Sequence, residues 1–156
     1  MYSVFLTLHS LTRWAVVVLG VIVMVRAFLG IAGKRGWVDA DSRFVRFFIL
    51  SMNIQFVLGL VLYIFLSPAV QRAMTDFGAA MRDGVIRFWF VEHMTMMIIA
   101  LALVHVGGAR VRRAAEAIGK HRNAAIFFTL ALVAIFLAIP WPGMGADPRP
   151  LFRFSF

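Results

Sequence analysis

The chain has 156 residues, of which 62% are hydrophobic and 15% charged, with a mean hydropathy of +0.89. A soluble domain is about half apolar and about a quarter charged, so these figures exclude an ordinary soluble fold, and they exclude a disordered chain as well. The formal charge of +9 raises nucleic-acid binding, but it competes with a membrane reading in which basic residues gather in cytoplasmic loops.

Four stretches reach the roughly 20 apolar residues that a span requires. The first runs from about Val4 to Ile31. It has no charged n-region and runs on too long for a signal peptide, so it reads as a retained helix. The second runs from about Phe47 to Leu66. Ser67-Pro68 follows as an N-cap with Pro at the first helical position. Val70, Met74, Phe77 and Met81 then recur at helical spacing, and Gly84 is placed to stop that helix. The spacing predicts a short amphipathic helix lying on the outer surface. The third span runs from about Phe88 to Val106. The segment Arg110 to Arg122 is expected to extend it and turn near Gly119. The fourth span, from about Ala124 to Ile139, ends at Pro140. The fold expected is all-α: one integral membrane four-helix bundle over residues 1–156, with a short interfacial helix between helices 2 and 3.

Loop charge sets the orientation. Lys34, Arg35, Arg43 and Arg46 fall in the first loop, and Arg110, Arg112, Arg113, Lys120 and Arg122 in the third. The other side carries Arg72, Arg82, Arg87, Arg149 and Arg153. The excess predicts that the first and third loops are cytoplasmic and both termini outside. Trp89 and Trp141 fit interfacial anchors on the outer side. The basic loops face water or anionic headgroups. With no nucleic-acid module visible, nucleic acid is not an expected partner.

There are no cysteines, so thiolate metal sites and Cys nucleophiles are excluded. The histidines are His9, His93, His105 and His121. His9 and His93 each lie about five residues inside the outer end of a helix. At about 1.5 Å per residue they share a depth of roughly 8 Å. Helices 1 and 3 run in the same direction. Each half of the chain is a hairpin with an outer His on its first helix, which places the two across a pseudo-two-fold axis. Two histidines so placed can bind one iron from opposite faces, as in other bundle-core sites. A single intramembrane His reads first as an interhelical hydrogen-bond partner and only second as a ligand. The matched pair favours ligands, and a haem b held this way requires no Cys.

Arg13 is four residues after His9 and shares its face. An intramembrane Arg requires a partner, and a haem propionate would supply one. Gly20, eleven residues after His9, returns to nearly the same face and would leave room for a macrocycle. Met97 and Ala100 share the face of His93. His105 is about 120° around the helix and a leaflet away, so it cannot ligate the same iron. His121, between Lys120 and Arg122, reads as solvated. Gln55, Gly59 and Tyr63 form one stripe of helix 2. Gln55 and Tyr63 read first as interhelical glue, with Gly59 permitting close approach, and second as hydrogen-bonding groups for a quinone carbonyl. Glu92 is expected to pair with Arg13 or Arg87.

Four strings carry a family resemblance. They are His9-Ser10-Leu11-Thr12-Arg13-Trp14, the run Gln55 to Tyr63, Glu92-His93 with Met97 and Ala100, and Pro140-Trp141-Pro142. Together they resemble small four-span bacterial membrane proteins labelled cytochrome-b-like, over nearly the whole chain. The resemblance implies haem b and membrane electron transfer, with His9 and His93 as the matching positions. Members often carry a further His two residues before the helix 2 Gln, where this chain has Asn53.

These expectations converge on a one-haem b-type cytochrome rather than a stand-alone catalyst. It would pass electrons as a subunit of a respiratory or photosynthetic membrane complex, so its partners are the bilayer and other subunits or electron-transfer proteins. A cofactor-free structural or assembly subunit is the competing reading. A small transporter ranks below both, because the spans hold too few charges to trace a pathway.

Overall fold

The computed structural model describes residues 1–143, 147–148 and 150–152. It is all-helical, with no strand among the described residues. Four helical stretches are long and apolar enough to cross a membrane: Tyr2–Ala32, Asp39–Leu66, Gly84–Arg113 and Ala117–Ala138. Arg149 and Arg153, used above in the charge count, lie outside the described residues.

Helix α1 spans Tyr2–Ala32. Its apolar run contains no Pro, so nothing interrupts the backbone ladder. It stops where Lys34 enters the left-handed region at φ 47°. There Arg35 N–H bonds Gly30 O at 3.0 Å and Lys34 N–H bonds Ile31 O at 3.3 Å, the bond pair of a Schellman stop. A Lys occupies the position where Gly is usual.

Helix α2 spans Asp39–Val61 and continues as a π-helical turn, π1, over Leu62–Leu66. It begins eight residues before the expected span because Asp41 organises its first turn. The Asp41 carboxylate accepts from Val38 N–H at 3.0 Å and from Arg26 Nε at 2.7 Å. Asp39 and Asp41 also suit the positive end of the helix dipole. Arg43 and Arg46 are exposed on this extension.

The segment between the second and third spans is broken where one helix was expected. Helix α3 spans Pro68–Thr75, with the Ser67 hydroxyl accepting from Val70 N–H. Helix α4 spans Phe77–Arg82 and is capped by Asp76. Asp83 then caps α5, Gly84–Arg87. Gly84 therefore opens a helix and does not stop one. The expected apolar stripe also divides. Val70 is buried together with Ala73 and Ala80, whereas Met74 and Phe77 are each 60% exposed.

A second π-turn, π2, covers Phe88–Glu92 and leads into α6, His93–Arg113. The turn to α7, Ala117–Ala138, lies at 114–116. Gly119 therefore sits inside a helix and not at the bend. Buried alanines at 124, 125, 131, 134 and 138 let α7 approach its neighbours closely. Helix α7 packs along both α1 and α6, and α1 packs along α2, while α2 meets α6 more lightly. Helices α1 and α6 thus stand across from each other. Phe48 and Phe128, both fully buried, meet edge to face at 5.6 Å in the core.

Candidate functional site between α1 and α6

His9 and His93 come together. Their ring centroids are 6.4 Å apart, with the planes at 65°. Two imidazoles sharing one metal ion place their nitrogens about 4 Å apart, twice a bond of about 2 Å. Adding the ring radii brings the centroids to about 6 Å. Both rings line a cavity of 380 Å³, within the range of about 300–1,000 Å³ usual for ligand and cofactor sites. Met97 from α6, Ile135 from α7 and Ile139 just after it add apolar walls.

His93 is held by the end of α7. Its Nδ1 lies 2.9 Å from Ala138 O. A carbonyl only accepts, so Nδ1 carries the proton and Nε2 keeps the lone pair. Such a bond fixes the tautomer of a metal-binding imidazole. The local sequence explains the free carbonyl. Pro140 ends the helix, and Pro142, four residues after Ala138, has no N–H to return.

His9 is held from α2. Gln55 Nε2 donates to His9 O at 3.0 Å. The Thr12 hydroxyl lies between Leu8 O, at 2.9 Å, and Gln55 Oε1. A Cβ on Gly59 would stand 3.0 Å from His9 Cε1, so the ring packs directly on that backbone. His9 Nδ1 is buried without a hydrogen-bond partner among the described residues. An orphan of this kind costs about 1–3 kcal/mol.

Arg13 lines the same cavity. Its Nη2 donates to Leu151 O at 2.6 Å, and Trp14 Nε1 donates to the same oxygen at 3.0 Å. Trp14 stacks on Phe152 at 5.2 Å. Leu151 and Phe152 thus lie against α1. Asp147 and Pro150 also line the cavity, with Asp147 accepting from Trp89 Nε1 at 2.8 Å. Arg72 and Asp83 line the cavity too. No single stretch of sequence marks them, because their approach depends on how α3 and α5 fold back.

Gly20 is not part of the site. A Cβ there would lie 2.7 Å from Leu132 Cδ2 and 2.9 Å from Phe48 Cε2. The space expected for a macrocycle is filled by side chains of α7 and α2. Ala100 is likewise a fully buried core residue.

The remaining expectations divide. Glu92 pairs with Arg87 at 2.8 Å, both half-exposed. Gln55 spends its amide on α1, and Tyr63 donates to Phe90 O at 2.9 Å. Interhelical bonding therefore occupies the two groups that a quinone would use. His105 Nε2 lies 2.8 Å from Asn53 Oδ1. His121 is a correction: it is fully buried, not solvated. Its ring lies against Gly30 and is 4.9 Å from Trp37. The turn at 114–116 comes earlier than expected and carries His121 down into the helix packing.

Among the described residues, no three His, Asp or Glu side chains converge as a metal site. Comparison with protein-family models, curated proteins and solved structures finds no match to this chain.

Proposed function

We propose that the chain is a four-helix membrane bundle that holds one haem b between His9 and His93 near its outer side. It passes electrons as a small subunit of a respiratory or photosynthetic membrane complex. The observation that carries this reading is the histidine pair, with rings 6.4 Å apart in one cavity although α1 and α6 stand across from each other. Haem supplies a one-electron couple when bound. His93 offers Nε2 while Ala138 O retains its Nδ1 proton. His9 offers a ring nitrogen from the opposite helix. Arg13 stands ready for a propionate, exchanging a carbonyl partner for a carboxylate.

The location proposed is the bacterial inner membrane with both termini outside. The nine basic residues of the first and third loops then face the cytoplasm. Helices α3 and α4 lie along the outer interface, with exposed Met74 and Phe77 reaching the headgroup boundary.

A reduced-minus-oxidised spectrum of protein purified from haem-replete cells tests the function. The expected result is b-type bands that vanish in both His9→Ala and His93→Ala. A pigment-free wild-type protein refutes it, and it then favours the cofactor-free assembly subunit.

A further inference from the structure

One face of α2 and its π-turn reaches the surroundings of both histidines. Gln55, Gly59 and Tyr63 follow at i, i+4 and i+8. Gln55, only 6% exposed, holds His9 O at 3.0 Å. That carbonyl already belongs to the α1 ladder, so the bond is not required to satisfy the backbone. Gly59 lets the His9 ring lie against it, with 3.0 Å between Cε1 and the place of a Cβ.

Tyr63 acts on the other ring through the backbone. Its hydroxyl donates to Phe90 O at 2.9 Å, and its ring stacks on Phe90 with planes 2° apart. Phe90 lies in the middle of π2, and His93 N–H closes that turn onto Phe88 O. A π-turn inserts a residue into the helical phase. The way π2 is held therefore decides the direction in which the next side chain, His93, leaves the helix.

We propose that Gln55, Gly59 and Tyr63 are positioning residues that set the angle between the His9 and His93 imidazoles. Through that angle they set the electronic state of the metal the two rings hold. The proposal rests on the haem reading above, and it adds to that reading the control of ligand orientation by a helix that contributes no ligand. Outer partners of this kind tune a metal by orienting its ligands.

The test uses the full chain in haem-replete membranes. Gln55→Leu, Gly59→Ala and Tyr63→Phe are compared with wild type and with Gln71→Leu, whose amide bonds Phe65 O outside this face. Pigment per protein and the low-temperature paramagnetic resonance spectrum of the oxidised protein are measured. The expected result is that Gln55→Leu and Tyr63→Phe retain pigment but shift the largest g value, with Gly59→Ala shifting it most. Gln71→Leu should match wild type. Spectra identical to wild type in all three variants overturn the proposal, even if yields fall. A wild type without pigment refutes the haem reading separately. In that case nitrogen-15 resonances of labelled histidines decide the positioning claim. The His9 and His93 signals should move in the variants while those of His105 and His121 stay, and unmoved His9 and His93 signals overturn it.

Discussion

Replacing Asp41 with Ala should destabilise the C-terminal end of α1 and the N-terminal end of α2 without disturbing the histidine cavity. Asp41 is 3% exposed and its carboxylate makes two bonds, to Arg26 Nε at 2.7 Å and to Val38 N–H at 3.0 Å. Losing the bond to the helix start costs about 1 kcal/mol, the usual value for a missing cap. Breaking a buried ion pair costs about 3–5 kcal/mol when the abandoned charge stays buried. Arg26 remains 29% exposed and rests on Phe44, so its charge recovers part of its solvation, and about 1–2 kcal/mol is expected from this part. The sum is about 2–3 kcal/mol, to be read by detergent titration of helicity. Asp41→Asn keeps an oxygen for Val38 N–H and should cost about 1–2 kcal/mol. The cycle with Arg26→Ala should show coupling of about 1 kcal/mol or more. Strict additivity would refute the reasoning, as would a loss below about 0.5 kcal/mol for Asp41→Ala.

Other outcomes follow from close backbone approaches. Gly20→Ala should lower stability by about 1–3 kcal/mol through overpacking against Leu132 and Phe48. It should leave any pigment spectrum unchanged, which distinguishes a packing glycine from a cofactor-facing one. Gly30→Ala should cost a similar amount, because the added methyl meets the His121 ring; thermal unfolding measures it, and His121→Ala in the same chain should relieve much of the cost. Lys34→Gly should stabilise the chain by up to about 1 kcal/mol, since only the left-handed strain at φ 47° is removed. A fall in melting temperature there would count against the Schellman assignment.

The four spanning stretches were legible because hydropathy is a local sum. Their ends were less so. The start of α2 is fixed by Asp41 meeting Arg26, and that pairing needs α1 beside it. The matched depth of His9 and His93 followed from counting residues inward from each helix end, and the structure brings the two rings together. Gly20 shows where the count fails. A helical wheel gives direction but not what stands opposite, and here Leu132 and Phe48 stand there. The π-turns at Leu62–Leu66 and Phe88–Glu92 were invisible for a related reason. They depend on contacts between two helices, such as Tyr63 with Phe90, and not on either sequence alone.

His9 and His121 make an instructive pair. Each imidazole lies on a glycine of a neighbouring helix, His9 on Gly59 and His121 on Gly30. Each has a buried ring nitrogen without a hydrogen-bond partner among the described residues, and His121 has two. An orphan nitrogen therefore does not by itself mark a ligand. The difference lies in what the rings face. His121 is wholly enclosed, with its ring tilted against Trp37 at 4.9 Å. His9 lies beside a second imidazole, with ring centroids 6.4 Å apart, and both rings line a cavity of 380 Å³. Only there can a single added atom bond to both rings. The same comparison explains why the tautomer of His93 matters. A proton fixed on Nδ1 by Ala138 O leaves a lone pair on Nε2, and a lone pair is what a metal requires.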